Sequence, residues 1–133
     1  MALPKYYKFV AENECGETLG ANTITVTLIR WKFNSSGELV YESSETSLQN
    51  SSSIADDAYG DIGSAQDNSS NLYLGGYGML TVNASSLSSP DGNVTLFLHR
   101  STDNSNFDDN GRGVVLAVIH VNSATTFRRS FEF

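Results

Sequence analysis

Residues 23–33, TITVTLIRWKF, decide the fold class of this protein. β-branched and aromatic residues dominate this stretch, and successive side chains of an extended strand point to opposite faces. One predicted face carries Thr25, Thr27, Ile29, Trp31 and Phe33. The other carries Ile24, Val26, Leu28, Arg30 and Lys32. Because this second face changes from apolar to basic, we expect the strand to leave the core at Arg30.

The residues that follow predict a β-hairpin. Residues 34–37, NSSG, have turn chemistry, and Gly37 can take a positive φ without a steric penalty. Residues 38–45, ELVYESSE, then return as the second arm, and their charges are typical of an edge strand.

Similar short apolar runs continue along the chain. They lie at residues 4–10, 71–74, 79–84, 93–100, 113–121 and 125–133. Together they predict a single all-β domain over residues 1–133, an antiparallel β-sandwich or jelly-roll-like fold of about eight strands. Residues 1–12 are expected to form an N-terminal arm or the first strand. Residues 113–121, GVVLAVIHV, are apolar on both faces, which indicates a central strand.

Two further segments interrupt this pattern. Residues 46–70 are rich in Ser, Asp, Asn and Gln and predict one long polar loop, either a contact segment or a solvated excursion. Within it, residues 54–62 are compatible with a short helical turn capped by Ser53. Gly75, Gly76 and Gly78 indicate a bulge, a bend or a close backbone approach.

Charge and composition narrow the classes of partner. Eight basic and fifteen acidic residues give a net charge of −7, which argues against binding to nucleic acid or to an anionic membrane surface. No apolar run approaches the roughly 20 residues that span a bilayer. The opening residues lack the pattern of a signal peptide, and Cys15 is the only cysteine. We therefore expect synthesis in a reducing cytoplasm.

Enzyme motifs are not found, so the sequence predicts no catalytic residue and no cofactor. A Gly-x-Ser-x-Gly elbow is missing, and His99 and His120 both fall inside predicted strands. Cys15 has no basic neighbour in sequence to lower its pKa. The carboxylate pairs at 56–57 and 108–109 are more typical of solvated loops than of a glycosidase cleft.

Residues 101–113, STDNSNFDDNGRG, contain the sharpest local motif. Asn106, Asp108 and Asn110 match the first half of a calcium-binding loop, but the twelfth position is Ala117 instead of an acidic residue. The alternative, which we favour, is a loop whose Asp and Asn side chains bond to their own backbone. The sequence thus predicts no metal site, with these three residues as the one calcium candidate.

A resemblance enters through residues 94–109, VTLFLHRSTDNSNFDD. This segment resembles small phage structural proteins, in which a strand of the form VTLYLxxSTDG precedes an aromatic, acidic loop. It is also similar to the Asp-box turn through Ser101 and Asp103, although Ser105 replaces the Gly and Phe107 arrives one position early. The opening ALPKYYKFV and the ending FRRSFEF are similar to a tailed-phage virion protein.

The resemblance implies a structural protein of a bacteriophage virion. A capsid decoration or cement protein that stabilises the shell through contacts with capsid proteins, as a homo-oligomer and preferably a trimer, is the leading hypothesis. A tail, collar or fibre-associated protein is the runner-up. The candidate contact residues are Tyr6, Tyr7, Phe9, Ile54, Tyr59, Ile62, Arg128, Arg129, Phe131 and Phe133.

A carbohydrate-binding or adhesion module is the main alternative from another class. Trp31, Tyr59, Tyr73 and Tyr77 are its candidate aromatic platform, although aromatic residues more commonly pack in a core or at an edge.

Overall fold

The computed structural model of the chain describes residues 3–133 and contains nine β-strands in two packed sheets. The strands are β1 (Tyr6–Glu14), β2 (Ile24–Phe33), β3 (Leu39–Tyr41), β4 (Thr46–Gln49), β5 (Ala58–Asp67), β6 (Gly75–Asn83), β7 (Gly92–Ser101), β8 (Val114–Val121) and β9 (Thr126–Glu132). The first two residues of the predicted arm lie outside the described range.

The two sheets confirm the predicted antiparallel sandwich. One sheet has the order β5-β1-β7-β8 and the other the order β3-β2-β6-β9, with β4 also paired to β2. Their facing sides form one core of aliphatic and aromatic side chains, with Phe9, Ile24 and Leu96 among the fully buried. Nine strands form instead of about eight, because β4 and β5 both lie in the predicted long loop, whereas the strand predicted at residues 71–74 does not form.

The hairpin after β2 is confirmed, with a shorter second arm. Phe33 pairs with Leu39 across the turn, and Gly37 has a φ of 79°. The ladder then breaks after Tyr41 and resumes with β4, which pairs with the first half of β2. The break leaves Glu42 free to turn toward Arg30.

Arg30 corrects the expectation that β2 leaves the core at its basic residues. The side chain is buried on the inner face, in line with Ile24, Val26 and Leu28. A buried arginine requires a partner charge and hydrogen bonds, and Glu42 and Tyr7 supply them. The strand therefore stays in the core beyond the point at which its sequence becomes basic.

Residues 46–70 correct a second expectation, since they do not form one long loop. They contain β4 and all of β5, which pairs along β1, and no helical turn forms at residues 54–62. Ile54 instead forms an isolated bridge with Leu19 and is buried. β5 is an edge strand that directs Ile62 into the core and leaves many polar side chains exposed. This explains its polar composition.

β1 confirms one of the two alternatives predicted for the start of the chain, whereas β8 differs from expectation. β1 lies between β5 and β7 inside its sheet, so the chain from Tyr6 onward is a strand and not an arm. β8, which the sequence predicts at the centre of a sheet, forms an edge, where Val115 and Val118 are exposed.

The glycines of β6 lie where neighbouring groups approach closely, which is one of the predicted alternatives. A Cβ added at Gly78 would lie 2.6 Å from the carbonyl oxygen of Thr27 and 2.7 Å from the ring of Phe131. The absence of side chains at these positions lets the aromatic residues of the C-terminal strand pack across β6.

Candidate docking surface

An exposed group of aromatic and aliphatic side chains lies on the outer face of the five-stranded sheet. Alternation along β2 sends Ile24, Val26 and Leu28 inward, so its odd-numbered residues face outward. Phe33, Leu39, Tyr41 and Tyr77 are between 48% and 55% exposed. Together with the half-buried Ile29 and Trp31, these residues form what we call the aromatic face.

Strand register brings these six residues together. Trp31 is paired with Tyr41, Phe33 with Leu39, and Ile29 with Tyr77. Directly paired residues project from the same side of a sheet, so three neighbouring strands contribute to one surface. Edge-to-face contacts order the rings, with centroids 6.0 Å apart both for Trp31 and Phe33 and for Tyr41 and Tyr77.

Gly75 allows the indole of Trp31 to lie close against β6. A Cβ at this position would be 3.1 Å from Nε1 and Cζ2 of Trp31 and 2.7 Å from the carbonyl oxygen of Phe133. The indole therefore packs against backbone and remains half-buried at the margin of the aromatic face.

A shallow groove of about 220 Å³ continues the aromatic face toward β9. Ile29, Tyr77 and Met79 line it, with Glu45 and Ser130 at its border. The groove extends the apolar surface and ends in polar groups.

Phe33, Leu39 and Tyr41 are not among the contact residues predicted from the sequence. The alternation of residues 23–33 nevertheless places Phe33 on the correct side of the strand, and Leu39 and Tyr41 are its hairpin neighbours. The sequence signal is present, but it cannot show that no other layer covers this side of the sheet.

Half of the predicted contact residues belong to the core. The buried ones are Tyr7, Phe9, Ile54, Ile62 and Phe131. The sequence predicts them in an arm, a loop and a terminal strand. Pairing of β1, β5 and β9 within the sheets turns four of these side chains inward, and Ile54 is buried at its bridge with Leu19. This corrects their prediction as surface contacts.

The other predicted contact residues are at least partly accessible but do not form one surface. Arg128 and Arg129 are exposed on β9, whereas Tyr6 and Tyr59 are half-buried on the four-stranded sheet. Phe133 is also half-buried and packs against Phe9, with ring centroids 5.7 Å apart.

The predicted aromatic platform is divided in the same way. Trp31 and Tyr77 share the aromatic face. Tyr73 lies beneath the cations of Arg30 and Lys32. Tyr59 belongs to the four-stranded sheet, where its ring contacts that of Phe97.

The loop between β7 and β8 satisfies its own polar groups. The carboxylate of Asp103 accepts hydrogen bonds from the backbone N–H groups of Asn106 and Ser105, which hold its pKa well below the usual range. The Oγ of Ser101 accepts from the backbone N–H groups of Asp103 and Asn104. These bonds fit the favoured alternative of a self-bonded turn.

Two of the three calcium candidates form contacts with other side chains, and the third lies in a different groove. Asp108 is ion-paired to Arg100 over 2.9 Å, and the Asn106 amide donates to Asp103. Asn110 lies in a separate groove beside Lys8 and Asp61. Among residues 3–133, no cluster of three or more His, Cys, Asp or Glu side chains could hold a metal ion.

The remaining candidate reactive groups are separated from each other. His99 is buried beneath the loop between β7 and β8, and its Nε2 has no hydrogen-bond partner among the described residues. His120 faces Asp91 at the surface, with Nε2 3.2 Å from Oδ1. Cys15 is buried, and burial raises the pKa of its thiol.

Comparisons with known proteins identify no family model, no curated protein and no solved structure that matches the chain. Within residues 3–133, no helix has the length and apolar character needed to cross a bilayer.

Proposed function

We propose that this protein is a structural component of a bacteriophage virion, and specifically a decoration or cement protein that docks onto the capsid. The aromatic face is the observation that carries this proposal. A side chain that contributes to assembly must remain uncovered in the free chain, and Phe33, Leu39, Tyr41 and Tyr77 are each about half exposed.

The size of this surface supports a docking role. An aromatic side chain has ~150–250 Å² of area, so four large residues at about half exposure present on the order of 400 Å² of mainly apolar surface. Patches of roughly 300–600 Å² are the largest on typical monomers and commonly serve a function. Binding to a neighbouring protein would remove this area from water.

The phage assignment rests on the resemblance of residues 94–109 and of the two ends of the chain to phage structural proteins. A small sandwich without disulfides suits synthesis in a bacterial cytoplasm and assembly onto a particle. Capsid proteins are the proposed partners, and a trimer of this chain is the proposed oligomer.

Quantitative mass spectrometry of purified particles, from the phage whose genome encodes this chain, tests the proposal. A decoration protein is expected at a copy number comparable to that of the major capsid protein. Only a few copies per particle would instead indicate a tail, collar or fibre-associated protein. Particles that never contain the chain would contradict both.

The shared surface of Trp31 and Tyr77 favours a second candidate function, the binding of carbohydrate. Aromatic rings on an open sheet face can stack against sugar rings. A glycan array tests this candidate with the original chain and a Trp31→Ser/Tyr77→Ser variant. Signals that the variant loses would support it, and an array without signals would remove it.

A further inference from the structure

We propose that the aromatic face docks onto a protein surface that is apolar at its centre and carries Lys or Arg side chains around it. This inference rests on the proposed docking role and names the chemistry of the partner. It does not depend on whether that partner belongs to the capsid.

Carboxylates flank the aromatic face. Glu132 is directly paired with Tyr77 and is exposed on the same side of the sheet. Glu45 borders the groove beside Tyr77 and lies next to β4, on the opposite flank from β9. Both carboxylates are exposed, so the apolar centre has an acidic group on each of these two flanks.

The nearby basic side chains are directed to other contacts. Arg30 points inward and is neutralised by Glu42. Lys32 donates to the carbonyl oxygen of Asn71 and lies over the ring of Tyr73. Arg128 is exposed on the same side but pairs with Thr81, four positions along β9 from Glu132. The immediate surroundings of the aromatic face therefore favour cationic groups on a partner.

A second copy of this chain fits the aromatic face poorly. A stable interface buries about 800 Å² per partner, roughly twice the exposed apolar area of the aromatic face. Symmetric contact would therefore extend into the acidic surroundings of both copies and place carboxylates near carboxylates. The net charge of −7 on each chain adds to this repulsion.

The aliphatic residues favour a protein over a sugar. Ile29 and Leu39 lie among the rings and offer no side-chain hydrogen bond to a hydroxyl group, and the nearby thioether of Met79 is only a weak acceptor. Apolar side chains of a partner protein would fill these positions without leaving polar groups unpaired.

Selection from a displayed library of random peptides tests the inference even though the partner is unidentified. The folded chain is the target, and a Phe33→Ser/Tyr77→Ser variant is used to remove peptides that bind elsewhere. We expect the enriched peptides to combine aromatic or aliphatic residues with flanking Lys or Arg. A Val115→Ser/Val118→Ser variant is the matched control, because these exposed apolar residues lie on β8 of the other sheet.

Charge reversal then tests the role of the acidic surroundings. Glu132→Lys is expected to weaken the binding of a selected basic peptide by about threefold or more, and added salt is expected to weaken it as well. Glu14→Lys is the matched control, since Glu14 is an exposed carboxylate at the end of β1 in the other sheet. It is expected to leave binding nearly unchanged.

The outcomes separate this inference from the proposed function. Enriched peptides that are acidic or neutral, or equal binding to the Phe33→Ser/Tyr77→Ser variant, would overturn the inference even if particles contain the chain. Selection of basic apolar peptides would support it even if particles do not. Self-association through the aromatic face in sedimentation experiments, or glycan binding there, would also overturn it.

Discussion

Arg30 and Glu42 form a bidentate ion pair, with Nε 2.9 Å from Oε2 and Nη2 2.6 Å from Oε1. Only 10% and 11% of the two side chains are exposed. Burial alone would lower the pKa of Arg30, but the hydrogen bonds to Glu42 and Tyr7 raise that pKa above its ordinary value. Because Tyr7 belongs to the opposite sheet, the pair connects the two layers of the sandwich.

Glu42→Gln is expected to lower the free energy of unfolding by about 3 kcal/mol, because it leaves the buried guanidinium without its counter-charge. Urea unfolding measures the change. Glu45→Gln, three residues further on and exposed, is the control and is expected to change stability by less than about 0.5 kcal/mol. Equal effects of the two substitutions would contradict the structural role of the pair.

Gly78→Val is expected to destabilise the chain by about 2 kcal/mol, because the new side chain meets the Thr27 carbonyl oxygen and the Phe131 ring. Thermal unfolding provides the measurement. Gly20→Ala is the control, since a Cβ there has only one ordinary contact, at 3.8 Å. A Gly78→Val chain as stable as the original would show that the close approach of β9 is not required.

Deletion of residues 131–133 is expected to abolish folding. Phe131 is buried with its ring 6.3 Å from that of Phe9, and removing a large aromatic residue from a core costs about 3–5 kcal/mol. Circular dichroism and chemical-shift dispersion report the folded state. A folded but non-assembling chain would instead indicate that these residues serve an interface. Phe131→Leu, which largely conserves apolar volume, is the milder control.

Acidification is expected to weaken the fold through His99. Burial and, to a smaller extent, the charge of Lys8 hold the pKa of His99 below its ordinary value of 6.5 in the folded chain. The charges of Asp108, Asp61 and Asp109 act in the opposite direction and only partly offset this lowering. The unfolded chain therefore takes up the proton first as pH falls through about 6.5, which favours unfolding. At higher pH the imidazole is neutral in both states, and this contribution vanishes.

His99→Leu removes the titrating group and isolates this effect. The difference in urea midpoint between the original chain and the variant is expected to change between about pH 7.5 and pH 5.5, with the original chain losing more stability. Parallel curves for the two proteins would exclude the contribution of His99. His120→Leu is the control for an exposed histidine.

Calcium at millimolar concentration is expected to leave the melting temperature unchanged. Asp108 is already paired with Arg100, and a cation would have to displace that guanidinium. A ligand that binds only the folded state raises stability by mass action, so thermal unfolding with and without Ca²⁺ is a direct test. A rise in melting temperature that Asp108→Asn removes would show a calcium site.

Much of the fold could be predicted from local patterns. The alternation of residues 23–33 assigns correct faces to β2, and the turn at Gly37 locates its hairpin. The expectation that β2 leaves the core at Arg30 fails, because the partner that keeps this arginine buried lies twelve residues away, where the ladder is interrupted. Local hydrophobicity also fails for β5, whose edge position requires few apolar residues.

The candidate site is harder to predict than the fold. The sequence identifies Trp31 and Tyr77 as exposed aromatic candidates, but it also predicts Tyr7 and Phe9 at a surface although they belong to the core. An aromatic residue in a strand has the same local signature on either side of a sheet. Only the packing of the second layer shows which side remains open.

The sequence alone therefore established an acidic, antiparallel β-domain, because alternation, turn chemistry and charge are properties of neighbouring residues. The order of the strands, the burial of Arg30 and the open position of the aromatic face emerged only from the tertiary structure. Each depends on contacts between distant segments, such as those of Glu42 with Arg30 and of Tyr77 with Ile29. Short-range patterns do not specify such contacts, since many strand orders satisfy the same alternation.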